Sequence, residues 1–240
     1  MPYVSPQREP RIRQPEGSPS DHLEALATEV AACRQCPRLV AWREQVAEEK
    51  RAAYADWDYW GRGVPAFGDP AAPIGVIGLA PAAHGANRTG RMFTGDRSGD
   101  WLYGALYRAG LANQPESASV DDGMQLRGVL ITSPVKCAPP ANKPTTQERD
   151  RCRPFLEREL EVLNPRVLVV LGGFAYQVIA SMYNLRPRPK FGHGVEVAVP
   201  DTNITIVCSY HVSQQNTFTG RLTEEMLDRV FTRAKELAGL

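Results

Sequence analysis

The stretch Ile74-Gly75-Val76-Ile77-Gly78-Leu79-Ala80-Pro81-Ala82-Ala83 decides the fold class. Its first six residues hold no polar side chain to mark a solvent face, as in a strand buried on both sides. Small residues and proline then break it, as where a chain leaves a strand for a loop. The runs Val129–Ser133, Val167–Leu171 and Ile204–Ser209 share the same nearly all-apolar character. Helical periodicity separates these runs over roughly 98–110, 145–163 and 174–183. A last amphipathic helix covers about 223–238, with Thr223 as cap and Met226, Leu227, Val230, Phe231 and Ala234 as its apolar stripe. Strands alternating with helices predict an α/β fold: a parallel sheet with helices on both faces. Such folds take ligands beyond the carboxyl ends of their strands. Three unusual segments fall there: 80–97, 134–144 and 210–221.

Working outward, residues 1–19 carry Pro2, Pro6, Pro10, Pro15 and Pro19 among Arg, Gln and Ser, and read as a disordered Pro-rich tail before one domain over 20–240. Ser20 or Asp21 is the expected cap of a helix running to about Cys33, and a second helix is expected over 40–55. Trp57, Tyr59, Trp60, Gly61, Pro65 and Gly68 then form an aromatic, Gly/Pro-rich loop. The 240 residues suffice for a full core in one domain. A formal net charge of +1 excludes a global polycation, so any basic surface must be local. With no span-length apolar run and no leader-like segment, the expectation is a cytoplasmic protein with no membrane partner.

Five cysteines in such a context favour metal ligands or free thiols over disulfides. Cys33 and Cys36 form one close pair, and Cys137 and Cys152 are separated by fourteen residues in the middle of the chain. Four thiolates from two distant segments can close on one soft centre, either zinc or an iron–sulfur cluster, and spacing does not choose between them. Cys208 lies in an apolar run and reads as a buried strand residue.

In the segment after the first strand, Gly78, Ala80, Pro81, Ala82 and Ala83 let a ligand approach the backbone closely. Gly85, Gly90 and Gly95 then space out polar and basic groups, and the helix starting near Ser98 offers free amides to a phosphate. The spacing matches neither a Walker loop nor a dinucleotide fingerprint. Phe93, standing among Gly and Thr, is a core aromatic or a stacking face for a flat base. Arg88 and Arg91 are surface charges or phosphate contacts. Asp96 precedes a helix and reads as its cap or as a loop-orienting group. In the last segment, His211 leaves a buried strand directly for the cleft. The run Ser213-Gln214-Gln215-Asn216-Thr217 supplies uncharged groups that can enter a narrow groove. His22 and His193 read as surface or structural.

Together, residues 78–96, the His211-Val212-Ser213-Gln214-Gln215-Asn216 loop and the four cysteines resemble the uracil-DNA glycosylase superfamily, and within its iron–sulfur branch the type B (family 5) group. The resemblance spans about residue 21 to the C-terminus. It implies a three-layer α/β/α sandwich with a central four-stranded parallel sheet, and a [4Fe-4S] cluster on Cys33, Cys36, Cys137 and Cys152. Lys136, Arg149 and Arg151 would lie close enough to the cluster to meet phosphates. The partner implied is double-stranded DNA containing uracil or other deaminated bases such as hypoxanthine, and the chain is expected to act as a monomer, associated with the nucleoid if prokaryotic. The implied reaction hydrolyses the N-glycosidic bond after the nucleotide has flipped out of the stack. His211 is then the donor to the departing base, and Phe93 stacks on it. Ala80, Pro81, Ala82 and His84 frame its edge; Arg88, Arg91, Gln214, Gln215, Asn216 and Arg221 contact DNA.

Two positions depart from many relatives. Ala80 stands where others carry an acidic or amide side chain, so it cannot activate water. This matches the type B group and leaves Asn87 as the nearest polar candidate to position water. Ser133 stands where some iron–sulfur relatives have a uracil-pairing Asn, which implies a roomier pocket. Three other readings compete: an iron–sulfur redox or sensor protein, a non-catalytic zinc-stabilised DNA-binding module, and a relative that traps the sugar covalently on a histidine. The last carries an extra basic loop that is missing from the sequence.

Overall fold

The structure, a computed structural model, describes residues 17–240. Most of the proline-rich tail, residues 1–16, lies outside the described residues. The chain enters α1 (Pro19–Ala32) two residues earlier than the cap reading places it. Ser18 is the N-cap, Pro19 takes the first turn, and Asp21 closes a capping box with Ser18. Next come α2 (Pro37–Glu49), β1 (Phe67–Gly68), β2 (Ile74–Ile77) and the single turn α3 (Ala86–Thr89). They are followed by α4 (Arg97–Arg108), β3 (Val129–Thr132), α5 (Thr146–Leu163), β4 (Val167–Leu171) and α6 (Gly173–Met182). The chain ends with β5 (Glu196–Ala198), β6 (Thr205–Ser209), α7 (Gln214–Phe218) and α8 (Glu224–Ala238).

Strand order is β1-β3-β2-β4-β6-β5. The four inner strands are parallel, with Ile77 level with Thr132 on one side and Val170 on the other. All-apolar strands buried on both faces therefore form the parallel centre, as their sequences require. The expected sheet of four becomes six because antiparallel β1 and β5 border it. These edges are two and three residues long and only half-buried, too short for periodicity to mark.

Alternate strand residues feed two cores. Val76, Ile131, Val169 and Val207 pack with α4 and α8 on one face. Ile77, Leu130, Val170 and Ile206 pack with α5 and α6 on the other. The layering is α/β/α. Outside it, α1 lies on α5 through Leu26, Val30 and Phe155. Cys208 is a fully buried strand residue. No described helix is long and apolar enough to cross a membrane.

Candidate functional site

The loops leaving β2, β3 and β6 enclose a cavity of about 620 Å³ at the carboxyl ends of the parallel strands. The β2 loop contributes Leu79, Ala80, Pro81 and Ala82, whose small side chains leave the backbone accessible. Phe93 forms a wall with a left-handed backbone, φ 54°. Holding a bulky residue there is strained, and strain of this kind gathers at ligand sites. Gly78 makes room for the ring: a Cβ there would stand 2.8 Å from Phe93 Cζ. Ser133, at the end of β3, is buried and donates its hydroxyl to the Val135 carbonyl at 2.9 Å, which keeps an acceptor lone pair for a ligand.

His211 closes the cavity from β6, its ring centroid 6.5 Å from that of Phe93. Burial lowers its pKa from 6.5 to about 4, so the imidazole is neutral at physiological pH. Its place depends on Gly172, where a Cβ would come within 3.1 Å of His211 Cβ. Asn216, placed by the sequence in the DNA groove, instead donates Nδ2 to the His211 carbonyl at 2.8 Å and fastens the loop. Gln214 and Gln215 are exposed at the cavity mouth.

Asp96 does two things. Its Oδ1 accepts the Gly99 amide at 3.0 Å, so it caps α4 and takes an amide that the sequence reading left for phosphate. It also lines the cavity, among the described residues the one carboxylate in its wall, and burial raises its pKa. Asn142, in the loop after β3, adds an amide to the same wall. Both signals were available in the sequence, but only folding shows that they converge.

Four expected site residues point elsewhere. Asn87 is fully buried and donates Nδ2 to the Arg43 carbonyl at 3.2 Å, behind the loop rather than in the cavity. His84 is away from the cavity wall, with Nδ1 3.1 Å from the Tyr59 hydroxyl. Arg88 is 3% exposed, stacked 3.9 Å from the Tyr54 ring centre and 4.0 Å from that of Trp57, and bonded to the His84 and Gly95 carbonyls. Arg91 pairs with Asp122 at 2.6 Å and donates to Ser117 and Thr94. Both arginines hold the loop together: Asp122 answers the charge of Arg91, and Arg88 is buried out of reach of a phosphate. Arg97, in the cavity wall, lies over the exposed Phe218 at 4.5 Å, and Arg221 lies over Tyr210 at 4.6 Å. His193 Nδ1 accepts the Tyr210 amide, a structural role.

Cys33, Cys36, Cys137 and Cys152 line a second, small cavity where the α1–α2 junction meets the β3 loop and α5. Among the described residues, no group of three or more His, Cys, Asp or Glu side chains is set to hold a single metal ion. The donor set still suits a multi-iron centre, whose sulfur ligands sit at separate corners. The Lys136 amide already donates to Cys152 Sγ at 3.2 Å, and Arg43 to Cys137 Sγ at 2.9 Å, the hydrogen bonds that thiolate sulfur accepts. Lys136 itself points inward to Glu159 at 2.6 Å and is buried, away from any phosphate.

Fold and cavity together define an open α/β protein that receives a flat, hydrogen-bonding ligand at its strand ends. The model of the uracil DNA glycosylase superfamily matches residues 65–235, and the chain belongs to that superfamily. It is 54% identical over 215 residues to the type-5 uracil-DNA glycosylase of Mycobacterium tuberculosis (strain CDC 1551 / Oshkosh), covering 88% of this chain and 80% of the relative. It is 51% identical to that of Thermus thermophilus, covering 90% and 99%. The type-5 enzyme of Pyrobaculum aerophilum is 45% identical, with 95% and 97% covered.

Proposed function

We propose that this chain is a DNA-repair glycosylase that hydrolyses the N-glycosidic bond of uracil in DNA and leaves an abasic site. The observation that carries the reading is the neutral His211 facing Phe93 across a cavity framed by the small residues 79–82. The damaged nucleotide leaves the stack, at a cost of a few kcal/mol, and its base enters against the Phe93 ring. Backbone groups of 79–82 and the Ser133 hydroxyl read its edge. As the bond to the sugar breaks, negative charge collects on the departing base, and the neutral imidazole donates a hydrogen bond to it. Water attacks the sugar carbon and loses its proton. Asp96, as the carboxylate in the wall, orients that water and takes up the proton, a role that Asn87 cannot fill from behind the loop.

The short Ser133 and the cavity volume support a range that extends to deaminated purines such as hypoxanthine. Double-stranded DNA as the partner and a monomeric state belong to the same proposal. Cys33, Cys36, Cys137 and Cys152 would hold a [4Fe-4S] cluster, which when bound ties the α1–α2 arm to the loop carrying Ser133 and Asn142. The test is strand scission by alkali after incubating the protein with labelled duplexes carrying one uracil or one hypoxanthine. Cleavage only at the damaged base is expected. No cleavage by protein bearing its full complement of iron would end the catalytic reading.

A further inference from the structure

Arg43 lies in the middle of α2, 1% exposed, and is among the largest fully buried side chains. A buried guanidinium is costly unless its charge is answered. Two other buried cations have carboxylates, Asp122 for Arg91 and Glu159 for Lys136, and Arg88, whose Nη1 is also unpartnered, is covered by two aromatic faces. Among the described residues Arg43 makes no ion pair with a carboxylate. Nη1 donates to Cys137 Sγ at 2.9 Å, Nη2 donates to the Cys33 carbonyl at 2.9 Å, and Nε has no partner. Its side chain thus reaches both arms of the four-cysteine cavity, and what it meets there is one cysteine sulfur and one backbone carbonyl, with no anion. A thiol is a weak, neutral acceptor. A centre ligated by four thiolates carries excess negative charge, and that charge is the one this geometry lacks.

We propose that Arg43 is the counter-charge and positioning donor of an anionic four-cysteine centre, fixing Cys137 and setting the centre's reduction potential and lifetime. The inference rests on the cluster reading above. The electrostatics give a direction. Reduction adds negative charge, so a buried cation and an N–H bond to sulfur both favour the reduced state. Removing them lowers the potential and loosens the centre.

The test uses the full chain, purified without oxygen, beside Arg43→Met and Arg43→Lys. Iron and acid-labile sulfide are measured first, then the reduction potential by voltammetry, then the rate of iron release to a chelator. Equimolar iron and sulfide are expected in the unaltered chain. Arg43→Met should show a lower potential and release iron about tenfold faster, the loss of one charged hydrogen bond. Arg43→Lys, which keeps the charge on a shorter fork, should fall between. If the Arg43→Met chain does not fold, the Arg43→Lys potential decides alone. Potentials and release rates equal to those of the unaltered chain would overturn the Arg43 proposal and leave the cluster reading standing. An unaltered chain without iron and sulfide would overturn both.

Discussion

At the residue scale, His211 owes its neutral state to burial, with no partner charge involved. A donor that need not ionise should work over a wide pH range. Asp96, whose pKa burial raises, must be ionised to take the water's proton, so the share of the profile that belongs to His211 is read in the Asp96→Asn chain, which lacks that titration. There we expect the single-turnover rate on a uracil duplex to stay level from about pH 8 to about pH 6 and to fall only as the pH nears 4. A fall centred near the ordinary imidazole value in that chain would show that the ring is not held neutral. His211→Ala should lose roughly a hundred- to a thousandfold in rate while keeping DNA affinity. The same residue links stability to pH. Above pH 6.5 the ring is neutral both folded and unfolded. Between 6.5 and about 4 the unfolded chain binds a proton that the folded chain refuses, so stability drops by up to about 3 kcal/mol. His211→Ala should remove that drop from the melting curves. Asp96 can be tested without losing its cap, because Asn caps helices about as well as Asp. Asp96→Asn should keep the thermal midpoint and lose activity at least tenfold; an unchanged rate would leave Asp96 a cap only. Ser133→Asn should narrow cleavage toward uracil at the expense of hypoxanthine, and an unchanged ratio would detach substrate range from this position.

At the element scale, the four inner strands could be read because each is apolar on nearly every residue, and the helices between them because their caps and stripes are ordinary. Thr223 and Asp96 cap as their positions suggest. The edge strands β1 and β5 left no such mark. Arg88 and Arg91 misled for a definite reason. A sequence shows a charge, but not that Tyr54 and Trp57 fold over one guanidinium while Asp122 turns back to the other. Asn87 likewise looks available until α2 covers it. Gly172 was missed because its role is purely spatial, clearing the β4–α6 turn for a side chain just beyond β6. With φ 92°, it is also in a region that other residues avoid. Gly172→Ala should therefore both lower stability, by about 1–3 kcal/mol, and displace His211. Activity should fall at temperatures where circular dichroism still reports a folded chain. Full activity at those temperatures would mean that the turn does not hold His211.

At the scale of the whole molecule, the N-terminal arm is joined to the sandwich by apolar contacts, ion pairs and hydrogen bonds. α1 packs on α5 through Leu26, Val30 and Phe155, Glu29 pairs with Arg158 at 2.6 Å, and Arg38 reaches across to Glu148 at 2.7 Å. The Glu29–Arg158 pair is exposed on both sides and contributes little, about 0–1 kcal/mol. Arg38 holds the buried Glu148 with two hydrogen bonds, at 2.8 and 2.7 Å, and Leu39 packs on Val135 beside Cys36 and Cys137. These contacts converge on the four-cysteine junction, the proposed tie that keeps α1 and α2 against the β3 loop, and with it the cavity wall that carries Ser133 and Asn142. Replacing Cys33 and Cys36 by serine should abolish iron binding and lower the melting midpoint by about 6–12 °C, equivalent to about 3 kcal/mol for a chain of this size. Because the inner sheet and both cores lie outside the junction, the variant should keep its secondary structure and melt cooperatively. It should lose turnover through a slackened β3 loop, while His211, carried by β6, keeps its depressed protonation. That last point separates a local tie from general unfolding: a histidine resonance titrating near 4 in an inactive, iron-free chain supports the tie. Return of that resonance to the ordinary imidazole range would mean that the cysteine junction holds the entire cavity, and not one wall of it.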